Sequence, residues 1–239
     1  MPTTVPAHLP TAFNAASSTP ESLNDRLAEA ACYAVLRRLV PVLRHDVAGA
    51  MQPVRMLLMV LERRVQAPEP DLQAITKNVT SASSLTKQAT ADCINALEWI
   101  GSSEDRDVSL RSSVDLAIKL LALELSANGL ELINGIENDS ATAPERFLRS
   151  VLMGALLAFC DQRAAGSALQ VTYAAASSHQ PGRLRLEMLP DDTSKLPASL
   201  DIVRKYRLID WPDVEAMAKS FRVKLERGNG WLMLDLPKG

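Results

Sequence analysis

The residues whose types and spacing could support chemistry lie in one short stretch, residues 44–50 (RHDVAGA). Apolar side chains recur around it in alternating steps of four and three residues, the pattern of a helix with one apolar seam. The members of this seam are Leu36, Val40, Leu43, Val47, Ala50, Val54, Leu57 and Leu61. At about 100° per residue, His45 lies about 160° from Leu43 and Val47, on the side turned away from the seam. The pattern therefore predicts an exposed imidazole, a nucleophile near neutral pH, next to the carboxylate of Asp46.

Composition narrows the classes of protein to consider. The chain has 239 residues, of which 47% are hydrophobic and only 4% aromatic, which supports a real core and favours helices over an all-β fold. The net charge of −2 argues against a nucleic-acid-binding protein. Neither a membrane span nor a secretion signal is evident. Three widely spaced cysteines, Cys32, Cys93 and Cys160, suit reduced, buried thiols. We therefore expect a soluble cytoplasmic protein with no nucleic-acid or membrane partner.

The first part of the chain predicts a helical hairpin. Residues 1–18 are rich in proline, serine, threonine and alanine, which predicts a disordered leader. A helix is predicted from Thr19, with Pro20 at its first position, to about Gln66, bent at two internal prolines. After a break at residues 67–70, a second apolar-periodic helix is predicted over 71–100.

A hairpin with one apolar seam on each helix cannot bury both seams fully by itself. Pairing with a second copy is therefore predicted, giving a dimeric four-helix bundle built by residues 19–102. The alternative is that both seams pack against the rest of the same chain.

The remainder, residues 107–239, follows a polar linker at 101–107 and alternates strands with helices. Strands are predicted at 108–110, 130–133, 169–174, 183–189, 223–226 and 231–236, and helices at 113–128, 145–159 and 212–221. The Gly228-Asn229-Gly230 turn between apolar strands predicts a closing hairpin. The fold class is therefore α+β: a helical hairpin followed by a sandwich with helices on one face of a mixed sheet.

An exposed His-Asp pair on a helical hairpin, followed by this order of elements, resembles a two-component histidine kinase. Residues 43–46 (LRHD) resemble the phospho-acceptor motif of the dimerisation and histidine-phosphotransfer domain. Residues 107–239 resemble the ATP-binding domain, and residues 215–237 are similar to its final helix and hairpin. The resemblance covers about residues 22–237. It implies that His45 accepts a phosphoryl group and that response-regulator receiver domains are the partners.

The sequence departs from that family where nucleotide would bind. Gly154 and Ala158 stand at positions where the family has asparagine, and neither can hold a metal ion. The segment 190–195 has acids but no glycine where the family has a glycine-rich loop. Gly49 and Ala50, one turn after His45, lack the hydroxyl or amide of kinases that also dephosphorylate their partners. These departures predict a degenerate ATPase-like domain and a protein without cofactor, in which magnesium is supplied only by the receiver.

Among members of this group, the pattern best resembles the dimeric, kinase-like histidine phosphotransferases, which relay phosphoryl groups between receivers without ATP. His45 would be the phospho-acceptor, and Asp46 would orient its ring or accept its proton. The residues predicted to dock the receiver are Arg44, Ala48, Gly49, Gln52 and Arg55.

Two competing hypotheses remain at this stage. One is a non-catalytic pseudokinase adaptor that docks a receiver domain or a kinase, and the other is an active ATP-dependent kinase.

Solvated, non-functional positions are predicted for Arg37, Arg38, Arg63 and Arg64. Core positions rather than docking positions are predicted for Met56, Leu57 and Met59.

Overall fold

Two long helices open the chain. The computed structural model describes residues 22–99, 106–162, 168–178, 180–189 and 206–237. Helix α1 (Leu23–Val65) continues through both internal prolines as one helix. It is capped by Ser22 in a reciprocal capping box with Asp25. Residues 1–21, with the predicted leader and the Thr19-Pro20 start, lie outside the described residues.

Helix α2 (Leu72–Glu98) returns beside α1 and completes the predicted hairpin. The Asp71 carboxylate accepts hydrogen bonds from the Gln73 and Ala74 amides, which fixes the start of the helix. Val54 of α1 and Ala82 and Ala89 of α2 are buried between the two helices. The small alanines of α2 let the two backbones approach each other.

The second part of the chain contains the following elements: β1 (Asp107–Ser109), α3 (Leu110–Ala127), β2 (Glu131–Asn134), β3 (Thr142–Pro144), α4 (Glu145–Phe147), a π-helical turn (Leu148–Leu152), α5 (Met153–Asp161), β4 (Ala168–Ala174), β5 (Arg183–Leu189), α6 (Trp211–Ser220), β6 (Leu225–Gly228) and β7 (Trp231–Asp235). Most lie within two residues of their predicted positions. The short strand β3, which pairs with β1, was not predicted.

Strands β1 and β3 form a separate two-stranded sheet, and the other five strands form a mixed sheet in the order β2-β4-β5-β7-β6. The β2–β4 pair is parallel and the other pairs are antiparallel. Side chains on β5 alternate between buried and half-buried, so the sheet presents one face to the core. Leu184 and Leu186 lie on that face, together with the fully buried Phe147 and Phe159 of the helical layer. The predicted α+β sandwich is therefore confirmed.

The N-terminal half of α1 belongs to the same core. Ala31, Val35 and Leu39 are buried within it, and the Asn24 side chain donates a hydrogen bond to the Ala216 carbonyl of α6 at 3.3 Å. Helix α1 therefore packs against the second part of the chain before residue 44 and against α2 after it. The predicted linker, residues 101–107, lies mostly outside the described residues.

Arg38 corrects one expectation from the sequence. It was predicted to be solvated, but only 7% of its surface is exposed. It forms ion pairs with Glu124 of α3 and Asp161 of α5. The helix turns this side chain towards the second part of the chain, where two carboxylates compensate for the lost hydration.

Candidate functional site

His45 lies in the middle of α1 with 87% of its side chain exposed. Its Nδ1 atom is 3.3 Å from Oδ1 of Asp46, whose own side chain is 63% exposed. A carboxylate can only accept a hydrogen bond, so this contact favours the tautomer with the proton on Nδ1. That tautomer leaves the lone pair on Nε2, the nitrogen farther from the backbone, directed to solvent. The predicted exposed imidazole beside an acid is therefore present.

The surface around His45 is open. A Cβ added to Gly49 would meet nothing within 4 Å, and Ala48 and Gln52 are exposed. By the helical angle, all three lie within about 60° of His45. The small residues Ala48 and Gly49 leave room for a second protein to reach the imidazole ring.

Two arginines lie on one flank of this surface. Arg44 and Arg55 are exposed and lie about 100° and 80° from His45 in the same direction around the helix. Asp46 lies on the opposite flank. The five predicted docking residues therefore surround His45 on two sides, with positive charge concentrated on one.

Met56 and Met59 are exposed, which corrects the prediction that they are core residues. Their exposed fractions are 56% and 44%, whereas Leu57 between them is half-buried in the seam. Met56 lies about 20° and Met59 about 40° from His45, roughly 16 and 21 Å along the helix axis. The helical angle that placed His45 outside the seam places both methionines there as well, so the sequence carried this signal.

The face of α5 that the resemblance assigns to nucleotide is closed in this structure. Gly154 and Ala158 are both buried. A Cβ added to Gly154 would come within 2.3 Å of Cε of Met217 and 3.6 Å of Cγ2 of Val35. Helices α6 and α1 therefore fill the space next to Gly154 with apolar atoms. The predicted acid loop at 190–195 lies outside the described residues.

The other histidines and the cysteines do not form a second candidate site among the described residues. His8 and His179 lie outside the described residues. The three cysteines form no disulfide with one another, and burial raises the pKa of the Cys32 thiol. Within the described ranges, no group of three or more His, Cys, Asp or Glu residues is placed to hold a metal ion. No helix in the same ranges combines the length and apolar character needed to span a membrane.

Comparison with known proteins gives matches among solved structures only. No protein-family model matches the sequence, and no curated protein matches it. The histidine kinase AdeS of Acinetobacter baumannii aligns at 14% identity and a TM-score of 0.43, over 77% of this chain and 96% of that one. The histidine kinase ThkA, in a complex with the response regulator TrrA, aligns at 13% identity and a TM-score of 0.39, over 91% of this chain and 67% of that one.

The cytoplasmic segment of the histidine kinase QseC aligns at 8% identity and a TM-score of 0.39, over 58% of this chain and 82% of that one. These neighbours are histidine kinases, as the resemblance in the sequence led us to expect. At such low identity and TM-score they describe a general likeness of shape. The interpretation of His45 rests on its own geometry.

Proposed function

We propose that this protein is a histidine phosphotransfer protein that relays phosphoryl groups between response-regulator receiver domains through His45, without using ATP. The observation that supports this most directly is the exposed imidazole, paired with Asp46 and next to the small residues Ala48 and Gly49. Residues 19–102 would form the dimerising phosphotransfer unit, and residues 107–239 a degenerate ATPase-like unit.

The chemistry at His45 follows from the tautomer described above. The Nε2 lone pair attacks the phosphorus of an aspartyl phosphate in the receiver, and a nitrogen–phosphorus bond forms as the bond to the carboxylate oxygen breaks. The carboxylate leaves with the bonding electrons, and the positive charge that develops on the ring is stabilised by Asp46 through Nδ1–H. The second transfer is the reverse reaction with the aspartate of another receiver. Magnesium would be held by the receiver.

The test of this function is transfer in the absence of ATP. A panel of receiver domains, each phosphorylated with labelled acetyl phosphate and then freed of it, is mixed with the full chain. We expect the label to move to this protein in an alkali-stable, acid-labile form that mass spectrometry maps to His45. A receiver that binds tightly while its label never appears on this protein would instead support the adaptor function.

The exposed methionines are proposed as the apolar part of the receiver-docking face. Full burial of one methionine contributes about 1.5–3 kcal/mol, and about 1.4 kcal/mol corresponds to a tenfold change in affinity. We expect Met56→Ala with Met59→Ala to raise the receiver Kd at least about tenfold, measured by calorimetry.

Met51→Ala is the matched control for this measurement. Met51 is 46% exposed on the same helix but lies about 120° around it from His45. It should leave the receiver Kd unchanged at protein concentrations where association of the chain is complete. An equal effect of all three methionines would show that the His45 face is not the docking surface.

The homodimer is proposed from a second apolar stripe on the hairpin. On each helix, large apolar residues that are 43–73% exposed lie within about 60° of one another around the helix axis. One of them, Val40, was predicted to lie in the seam but is 43% exposed. They are Val40, Met51, Leu58 and Val65 on α1 and Leu72, Val79, Ile94 and Leu97 on α2. A second hairpin would cover this stripe and complete a four-helix bundle.

A charge within this stripe should separate the two copies. We expect Leu58→Lys combined with Val79→Lys to convert a dimer into a monomer, measured by analytical ultracentrifugation. Val60→Lys is the control, because Val60 is 41% exposed but lies about 160° around α1 from Leu58. A wild-type chain that sediments as a monomer at all concentrations would contradict the dimer.

A further inference from the structure

A buried cluster of charges joins α1 to two helices of the second part of the chain. Arg38 donates from Nε to Oε1 of Glu124 at 3.0 Å, and its terminal nitrogens pair with Glu124 and Asp161. The Arg38 and Asp161 side chains are only 5% and 1% exposed. Asp161 also accepts a hydrogen bond from the backbone N–H of Ile209 at 2.8 Å. These three charged residues, the Arg38 cluster, connect α1, α3, α5 and the segment that leads into α6.

The electrostatics of the Arg38 cluster make this connection costly to break. Burial disfavours the charge on Arg38, but hydrogen bonds to Glu124 and Asp161 outweigh it and raise the pKa of Arg38 above its ordinary value. If α1 moved away, the buried Asp161 carboxylate would lose its ion pair with Arg38. Breaking a buried pair by removing one partner is far more destabilising than losing an exposed one.

Apolar contacts reinforce the same interface. Val35 of α1 approaches the position of a Gly154 side chain, and Asn24 bonds to the backbone of α6. This contact surface runs along α1 from residue 24 to at least residue 39, about 22 Å at 1.5 Å per residue.

A second charged network connects the C-terminal end of α2 to the second part of the chain. Arg106 and Arg149 each pair with both Glu98 and Glu145, at distances between 2.5 and 3.3 Å. Arg149 also stacks over Trp99, 5.1 Å from the ring centroid. Networks of this kind hold geometry better than isolated surface pairs. The hairpin is therefore held at α1 and again at the end of α2.

We propose that the Arg38 cluster holds the second part of the chain on α1 in one fixed orientation, so that the described chain moves as one body. The covalent connection between α2 and β1 would not by itself fix the orientation of the two parts. This proposal concerns motion and does not depend on the role of His45. In this proposal, Arg38 fixes the orientation of the second part of the chain relative to α1. It lies seven residues before His45 and about 20° from it around the helix.

The test is hydrogen–deuterium exchange of the full chain, followed by mass spectrometry. In Arg38→Met we expect amides of residues 28–39 and of α6 to exchange at least about tenfold faster, while β4 and β5 keep their protection. Arg38→Lys retains a charge without the bidentate fork, so a smaller increase in the same segments is expected. Glu124→Gln, at a side chain that is 30% exposed, is the mild variant in case Arg38→Met fails to fold.

Arg37→Met is the matched control. Arg37 is exposed and stacks over Tyr206 at 5.8 Å. An exposed cation–π contact contributes only about 0.5–1 kcal/mol, so its loss should change exchange far less than loss of the buried Arg38. Unchanged exchange in Arg38→Met would overturn the proposal. It would also be overturned if Glu124→Gln had no effect while Arg38→Met loosened every strand equally, since Arg38 would then act as an ordinary core residue.

Discussion

Replacing His45 with glutamine is expected to abolish transfer of phosphate from receivers to this protein and onward to a second receiver. Glutamine keeps the size and polarity of the side chain but has no nucleophilic ring nitrogen. Because 87% of the His45 side chain is exposed, the change in the free energy of unfolding should stay within about 0.5 kcal/mol. Loss of label with an unchanged Tm and unchanged receiver affinity is therefore the predicted combination, measured by transfer assay, thermal unfolding and calorimetry.

The other two histidines provide the control for that result. The chain contains only His8, His45 and His179, so His8→Gln with His179→Gln leaves His45 as the one imidazole. This double variant should transfer phosphate as the wild type does. Continued labelling of His45→Gln, or loss of labelling in the double variant, would contradict the assignment of His45.

Introducing asparagine at position 154 is expected to destabilise the protein without creating ATP binding. The new Cβ would meet Cε of Met217, the end of a flexible side chain that can shift, so crowding should cost only about 1 kcal/mol, the low end for overpacking. The amide would also be buried among apolar atoms, which costs about 1–3 kcal/mol more if it stays unpaired. Together these effects predict a fall in Tm of about 5–15 °C for a chain of this size.

A compensating variant distinguishes crowding from other causes. Met217→Ala should recover part of the Tm lost in Gly154→Asn, because it removes the methyl group that the new side chain meets. Calorimetry with Mg-ATP should show no binding to the wild type or to either variant. Measurable ATP binding by the wild type would contradict the degenerate ATPase-like unit and would favour the active kinase.

Much of the fold could be predicted because the local signals agree with one another. The seam of α1, the Gly228-Asn229-Gly230 turn and the apolar helix ending near Phe159 each specify an element without help from distant residues. Strand β3 could not be predicted in this way. It has three residues and exists because Val108 of β1 pairs with Ala143, a contact that no local pattern encodes.

The site shows the same division between local and distant information. The exposure of His45 follows from its helical angle to Leu43 and Val47, and the angle of Met56 was equally accessible. The burial of Arg38 could not be predicted in this way, because it depends on carboxylates 86 and 123 residues away in the sequence. Whether a charged side chain on a helix faces water or a partner is decided by tertiary packing.

Because α1 is continuous, the direction in which His45 points is set by its helical angle relative to the first half of α1. A single helix of 43 residues crosses from the interface with the second part of the chain to the seam with α2. One residue inserted between Arg38 and His45 would rotate the imidazole by about 100° relative to everything packed on the first half of the helix. Seven inserted residues would nearly preserve its direction but move it about 10 Å farther away. The spacing between these two residues is therefore constrained as strictly as their identity.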